Sequence, residues 1–175
     1  MKSRLGVFSI AFATAILTTT AASAHTGTGL GAGFLHPLSG LDHLLALLAA
    51  GVWAGRAGGR KLWTLPASFI VLMATGAVLA IGGTVLPGVE TAIFASVTIL
   101  IMLASIATRL NAVLAAAVTG GFALFHGAAH GMELAVATPV SFIAGFLAAS
   151  VVVMAAGAAA GAAIERIRLS LVATD

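Results

Sequence analysis

An all-α, polytopic bundle of membrane-spanning helices is what this 175-residue sequence predicts, and three observations predict it. Hydrophobic residues make up 61% of the chain and charged residues only 7%, against roughly 25% charged in an ordinary soluble domain. Mean hydropathy is correspondingly high, at +1.16. No charged residue occurs in 62–89, 91–108, 110–132 or 134–164, and a helix needs only about 20 apolar residues to cross a bilayer. No loop is long enough to hold a soluble domain, and no internal repeat is apparent. The scattered basic residues behind the formal charge of +3 are no nucleic-acid footprint. The absence of cysteine excludes disulfides and thiolate metal sites.

The first element is an export signal over 1–24. Lys2 and Arg4 form a positive start, residues 5–17 an apolar run, and Ala22-Ser23-Ala24 an A-x-A cleavage site. Cleavage there would leave His25 as the mature N-terminus, on the outer face. Residues 25–168 then read as a single transmembrane domain of about five helices, near 36–55, 62–82, 90–108, 112–132 and 139–163. Residues 169–175 read as a short cytoplasmic tail. Pro37 suits the first position of the first helix. GRAGGRK closes that helix and GGTVLPG closes the second. Asn111 is a candidate N-cap for the fourth, and Thr138-Pro139 combines a cap with proline at the first helical position of the fifth.

Orientation follows from the basic side chains, which favour the cytoplasmic face. With an exported start, Arg56, Arg60, Lys61, Arg109, Arg166 and Arg168 all fall inside and none outside. The expected topology is N-out and C-in, in a bacterial inner membrane. The pairs Gly51/Gly55, Gly127/Gly131 and Gly157/Gly161 place small residues four apart, a spacing that lets helix backbones approach closely in lipid. Tight packing of one bundle explains them, and the same faces would also suit a homo-oligomer.

Two polar clusters have no such excuse. His36, Asp42 and His43 open the first helix, and His126, His130 and Glu133 stand at i, i+4 and i+7 on the fourth, one helical stripe. A carboxylate at bilayer depth costs about 2.5–3.5 kcal/mol on insertion scales, so it faces a partner or a cavity and marks a function. His36 and His43 are two turns apart and share a face if the turn is regular, with Ser39 between them. At about 1.5 Å per residue, Asp42 lies roughly 21 Å above the cytoplasmic boundary, His126 roughly 26 Å and His130 roughly 32 Å. Two helices therefore bring nitrogen and oxygen donors to similar heights near the outer face. Imidazole with carboxylate suits borderline divalent ions such as nickel, cobalt, zinc or copper, and not magnesium or calcium. A proton relay is the competing use of the same groups. His25 carries a weaker expectation, chelation of the ion by its α-amine and ring together. Thr119, on the stripe of His126, is a candidate inward stop, or else simply bonds its own helix.

HPLSGLDHLLALLAAGVWA, from His36 to Ala54, resembles the signature of the HupE/UreJ family of small nickel transporters, keeping His36, Pro37, Gly40, Asp42, His43, Gly51 and Ala54. FHGAAHGME, from Phe125 to Glu133, is similar to the family's second histidine motif. Leu47 stands where the family usually has methionine, so a thioether is missing one turn below His43. Ala50 stands where valine is usual. The resemblance implies uptake of nickel, or of cobalt or another divalent cation, for hydrogenase or urease maturation. The metal is then substrate, with no resident cofactor and no enzymatic reaction. There is no P-loop, which argues against ATP hydrolysis by this chain. Rival readings are an intramembrane metal- or haem-dependent enzyme, against which the missing HEXXH speaks, and a metal sensor or delivery subunit.

Overall fold

The computed structural model describes residues 29–106, 110–133 and 139–173, without the side chains of Glu133 and Pro139. The expected signal segment 1–24, His25, Arg109 and Thr138 lie outside the described residues. Among those described, every regular element is a helix: α1 (Leu30–Ser39), α2 (Leu41–Ala57), α3 (Lys61–Ile81), α4 (Val89–Ser105), α5 (Ala112–Glu133) and α6 (Pro139–Val172). By length and composition α3, α5 and α6 can each cross a membrane, and the bent pair α1–α2 makes a fourth candidate. Helix α4 is apolar but shorter, with 17 residues, at the lower end of what a bilayer core requires.

The first expected helix is corrected. Instead of one rod from His36 to Gly55, two helices meet at Gly40 with their axes bent by 83°. Pro37 does not start a helix; it lies inside α1, near its C-terminal end. Gly40 adopts an extended conformation (φ −93°, ψ 113°), so its N–H no longer continues the ladder. The Ser39 hydroxyl takes over by donating to the His36 carbonyl at 2.7 Å. On the other side of the break, Asp42 Oδ1 accepts the His43 N–H at 2.8 Å, satisfying one of the donors that a helix start leaves orphaned.

The other starts follow local chemistry as read. Asn111 Oδ1 accepts the Leu114 N–H at 2.8 Å, the N-cap bond expected of it. Helix α6 begins at Pro139 but runs to Val172, nine residues beyond the expected 163. At 34 residues it is about 51 Å long, more than a bilayer core of about 30 Å can contain, so its charged end at Glu165, Arg166 and Arg168 extends past the core.

The glycine pairs act as close-packing points. A Cβ at Gly51 or Gly55 would collide with the backbone of α6 at Met154 or Ala158, and one at Gly157 or Gly161 with α2 at Leu48 or Val52. Gly127 and Gly131 meet the α3 carbonyls of Met73 and Ala77 in the same way, while Gly76 returns the contact at Leu124. Two tight helix pairs result, α2 with α6 and α3 with α5, and α4 packs against α2 and α5. Between them lie the fully buried Trp53, Phe69, Leu47, Leu65, Met73, Leu100 and Met154. Leu47, at the family's usual methionine position, is a packing residue here.

The far end of the bundle from the histidines is tied by Arg56. Its guanidinium donates to the carbonyls of Ala104 and Ser105 at 2.6 and 2.7 Å, at the C-terminus of α4. It also lies 3.5 Å from Glu165 on α6, which pairs in turn with Arg168 at 2.6 Å. A cation at a helix C-terminus is favoured by the helix dipole.

Candidate metal site

Three helices bring four histidines into one continuous chain. Helix α1 carries His36 in its last turn, α2 carries His43 in its first, and α5 contributes His126 and His130 from successive turns. His36 Nε2 lies 3.0 Å from His130 Nδ1. His130 Nε2 lies 2.6 Å from His43 Nε2, and His126 Nδ1 lies 2.9 Å from that same atom. His43, His126 and His130 are buried, while His36 is half-buried at the outer edge. The bend at Gly40 is what permits this. His36 and His43 do not line one face of a regular helix; they approach His130 from two directions.

The surroundings assign the protons. Ser96 on α4 is completely buried, and its Oγ lies 2.6 Å from the Ile93 carbonyl and 2.7 Å from His126 Nε2. With the hydroxyl proton on the Ile93 carbonyl, the shorter of the two contacts, the serine oxygen accepts Nε2–H from His126; with the proton on Nε2 instead, the ring carries its own proton on Nδ1. The first arrangement leaves a lone pair on His126 Nδ1. Asp42 Oδ1 lies 3.3 Å from His43 Nδ1, a long contact in which an ionised carboxylate can only accept. His43 then carries its proton on Nδ1 and a lone pair on Nε2. In that first arrangement two imidazole lone pairs face each other across 2.9 Å.

The rings are closed on one another. Among the described residues no three His, Asp or Glu side chains are spread around a common point as the ligands of one ion are. Nitrogens about 2.0–2.1 Å from a tetrahedral ion stand roughly 3.3 Å apart, several tenths of an ångström more than the present contacts. Aromatic walls surround the cluster: Phe146 lies 4.4 Å from His130, Phe142 5.3 Å from His36 and Phe69 6.1 Å from His126, between ring centroids.

Of the six residues expected to ligate, five are brought together: His36, Asp42, His43, His126 and His130. Asp42 stands behind His43 instead of within the ring of nitrogens, its side chain 42% exposed. Glu133 is the last residue of α5, and its side chain lies outside the described part, as does the whole of His25. Ser39 serves the bend. Thr119 donates to the Ala115 carbonyl at 2.8 Å, the plainer of its two readings. Ser96 and Phe146 are the additions that the sequence did not disclose.

A sequence model of the family described as HupE / UreJ protein matches residues 12–174. The chain is also 45% identical, over 140 residues, to "Protein HupE" of Rhizobium leguminosarum bv. viciae, an alignment covering 78% of this chain and 73% of that one. No solved structure matches.

Proposed function

From its membership of the HupE/UreJ family, to which this chain belongs, we propose that it carries a divalent transition-metal cation, nickel foremost, across the bacterial inner membrane into the cytoplasm for metalloenzyme maturation. One observation carries the reading at the site: four imidazoles from three helices converge with N···N separations of 2.6 to 3.0 Å inside an apolar bundle. Histidine nitrogens suit nickel, cobalt, zinc and copper. A cation between the facing lone pairs of His43 and His126 turns their repulsion into two bonds. Asp42 on His43 and Ser96 on His126 are the outer partners that orient ligating imidazoles and set which nitrogen is bare.

The ion enters past half-exposed Asp42 and half-buried His36. It sheds water there and passes to His43, His126 and His130, whose rings swing apart by several tenths of an ångström to admit it. Onward movement follows the small-residue faces toward the Arg56 end. Such a station must release as well as bind, so moderate affinity at successive nitrogens serves transport better than a closed cage. The membrane potential suffices as a drive. At about 2.3 kcal/mol per charge per 100 mV, a divalent ion gains roughly 4.6 kcal/mol on entry.

The test is uptake of nickel, cobalt, zinc and copper into proteoliposomes holding the full chain, with Asp42→Ala and His130→Ala alongside. The expected result is saturable uptake of nickel and cobalt that His130→Ala abolishes and Asp42→Ala weakens severely. Wild-type transport by both variants would remove the histidine chain from the mechanism.

A further inference from the structure

We infer that Ser96 is a positioning residue of the metal site: its hydroxyl holds His126 in the tautomer that turns the Nδ1 lone pair toward His43. This rests on the reading of the histidine chain as the ion-binding station. The geometry behind it is tightly constrained. Ser96 Oγ is fully buried, has one proton, and has two partners, the Ile93 carbonyl at 2.6 Å and His126 Nε2 at 2.7 Å. Its proton lies in the shorter contact, on the carbonyl, which can only accept. The serine oxygen then accepts from the ring, which holds the proton on Nε2 and leaves Nδ1 bare.

Without that acceptor nothing holds the proton on Nε2. His126 has His43 Nε2 as its other ring partner, at 2.9 Å, and that atom bears a lone pair. The ring would then gain by moving its proton to Nδ1 and donating to His43. That bond would satisfy the pair and close the site, since one nitrogen would be protonated and the other engaged. Ser96 thus keeps the His126 Nδ1 lone pair for an ion, beside the His43 Nε2 that His130 also approaches, at 2.6 Å. Outer partners of ligating histidines carry affinities of this kind, their loss costing about 10–100-fold. Among the described residues, the other buried hydroxyls at Thr119 and Ser150 bond a carbonyl of their own helix and no ring.

Two measurements test the assignment on the full chain. The first is nickel uptake into proteoliposomes by Ser96→Ala, Ser96→Thr, His43→Ala and His126→Ala. In Ser96→Ala the half-saturating nickel concentration is expected to rise about tenfold or more, with the maximal rate little changed. Ser96→Thr, which keeps the hydroxyl, restores most of the affinity. The second is 15N NMR of metal-free protein labelled at histidine, with the His126 signals identified by their loss in His126→Gln. Wild-type protein should show His126 protonated at Nε2 and bare at Nδ1, and Ser96→Ala should show the reverse or a mixture. An unchanged tautomer in Ser96→Ala, or wild-type half-saturation in that variant while His43→Ala and His126→Ala lose uptake, overturns the role of Ser96 and leaves the metal site standing. Wild-type uptake by His43→Ala and His126→Ala overturns the metal site, and the role of Ser96 with it.

Discussion

At the scale of single residues, the site depends on which atoms stand behind the imidazoles. Asp42 touches His43 twice, through the backbone N–H at 2.8 Å and the ring Nδ1 at 3.3 Å, so one carboxylate both starts α2 and orients the ring. Asp42→Asn keeps the shape and loses the charge. It is expected to raise the half-saturating metal concentration about tenfold, as loss of an outer partner does, whereas His43→Ala removes the nitrogen shared by two neighbours and abolishes uptake. Radioactive nickel uptake at limiting concentration separates the two; equal losses in both variants would mean that Asp42 ligates directly. The histidines were legible in the sequence because an imidazole within an uncharged helix has no ordinary partner in lipid. Ser96 was not. A serine in an apolar helix normally bonds the carbonyl three or four residues back, as Ser105 and Ser150 do. Ser96 makes that bond too, and only the fold shows its second partner, 30 residues away.

At the scale of elements, the decisive feature is the seating of α1. This short helix carries His36, and it is locked onto α6 by reciprocal contacts in which Gly33 meets the Phe142 carbonyl and Gly145 meets the Leu30 carbonyl. A Cβ at either glycine would strike backbone, which cannot rotate away. Gly145→Ala is expected to lift α1 off α6 and carry His36 from His130, lowering uptake severely while α2 to α5 stay packed. Uptake measured beside the thermal aggregation midpoint in detergent checks this; unchanged uptake would show that His36 is dispensable. Arg56 offers the complementary case, far from the histidines. Arg56→Ala removes two charge-assisted bonds from the end of α4 and leaves Glu165 with Arg168 alone, and should cost about 1.5–3 kcal/mol. Arg56→Lys should recover part of that, since an ammonium lacks the planar fork. A midpoint in Arg56→Ala equal to wild type would mean the pairing contributes nothing. The uncharged runs made most of these helices legible, and Asn111 and Pro139 marked two starts. The bend was hidden because Pro37 suits a helix start and draws the start to His36, whereas Gly40, the kind of residue common just past a helix end, marks where α1 stops.

At the scale of the whole molecule, the bundle has two unlike ends. The histidines gather at one, and Arg56, Glu165 and Arg168 at the other. In the proposed reading the positive-inside tendency puts the second end in the cytoplasm, and an ion bound at the first then crosses most of the bilayer to be delivered. A divalent cation making that crossing under an inside-negative potential of 100 mV gains roughly 4.6 kcal/mol, or more than three decades of concentration. Proteoliposomes with a potassium diffusion potential of about that size, set by valinomycin, should therefore concentrate nickel far above the external level. Collapsing the potential should let the internal level relax to the external one, with no need for nucleotide. A histidine must be neutral to bind the ion, so protons compete with it, and external acidification should raise the half-saturating concentration and leave the final accumulation ratio unchanged. Accumulation that ignores the potential but follows an imposed proton gradient would replace facilitated entry by obligatory exchange of metal for protons through the same four imidazoles.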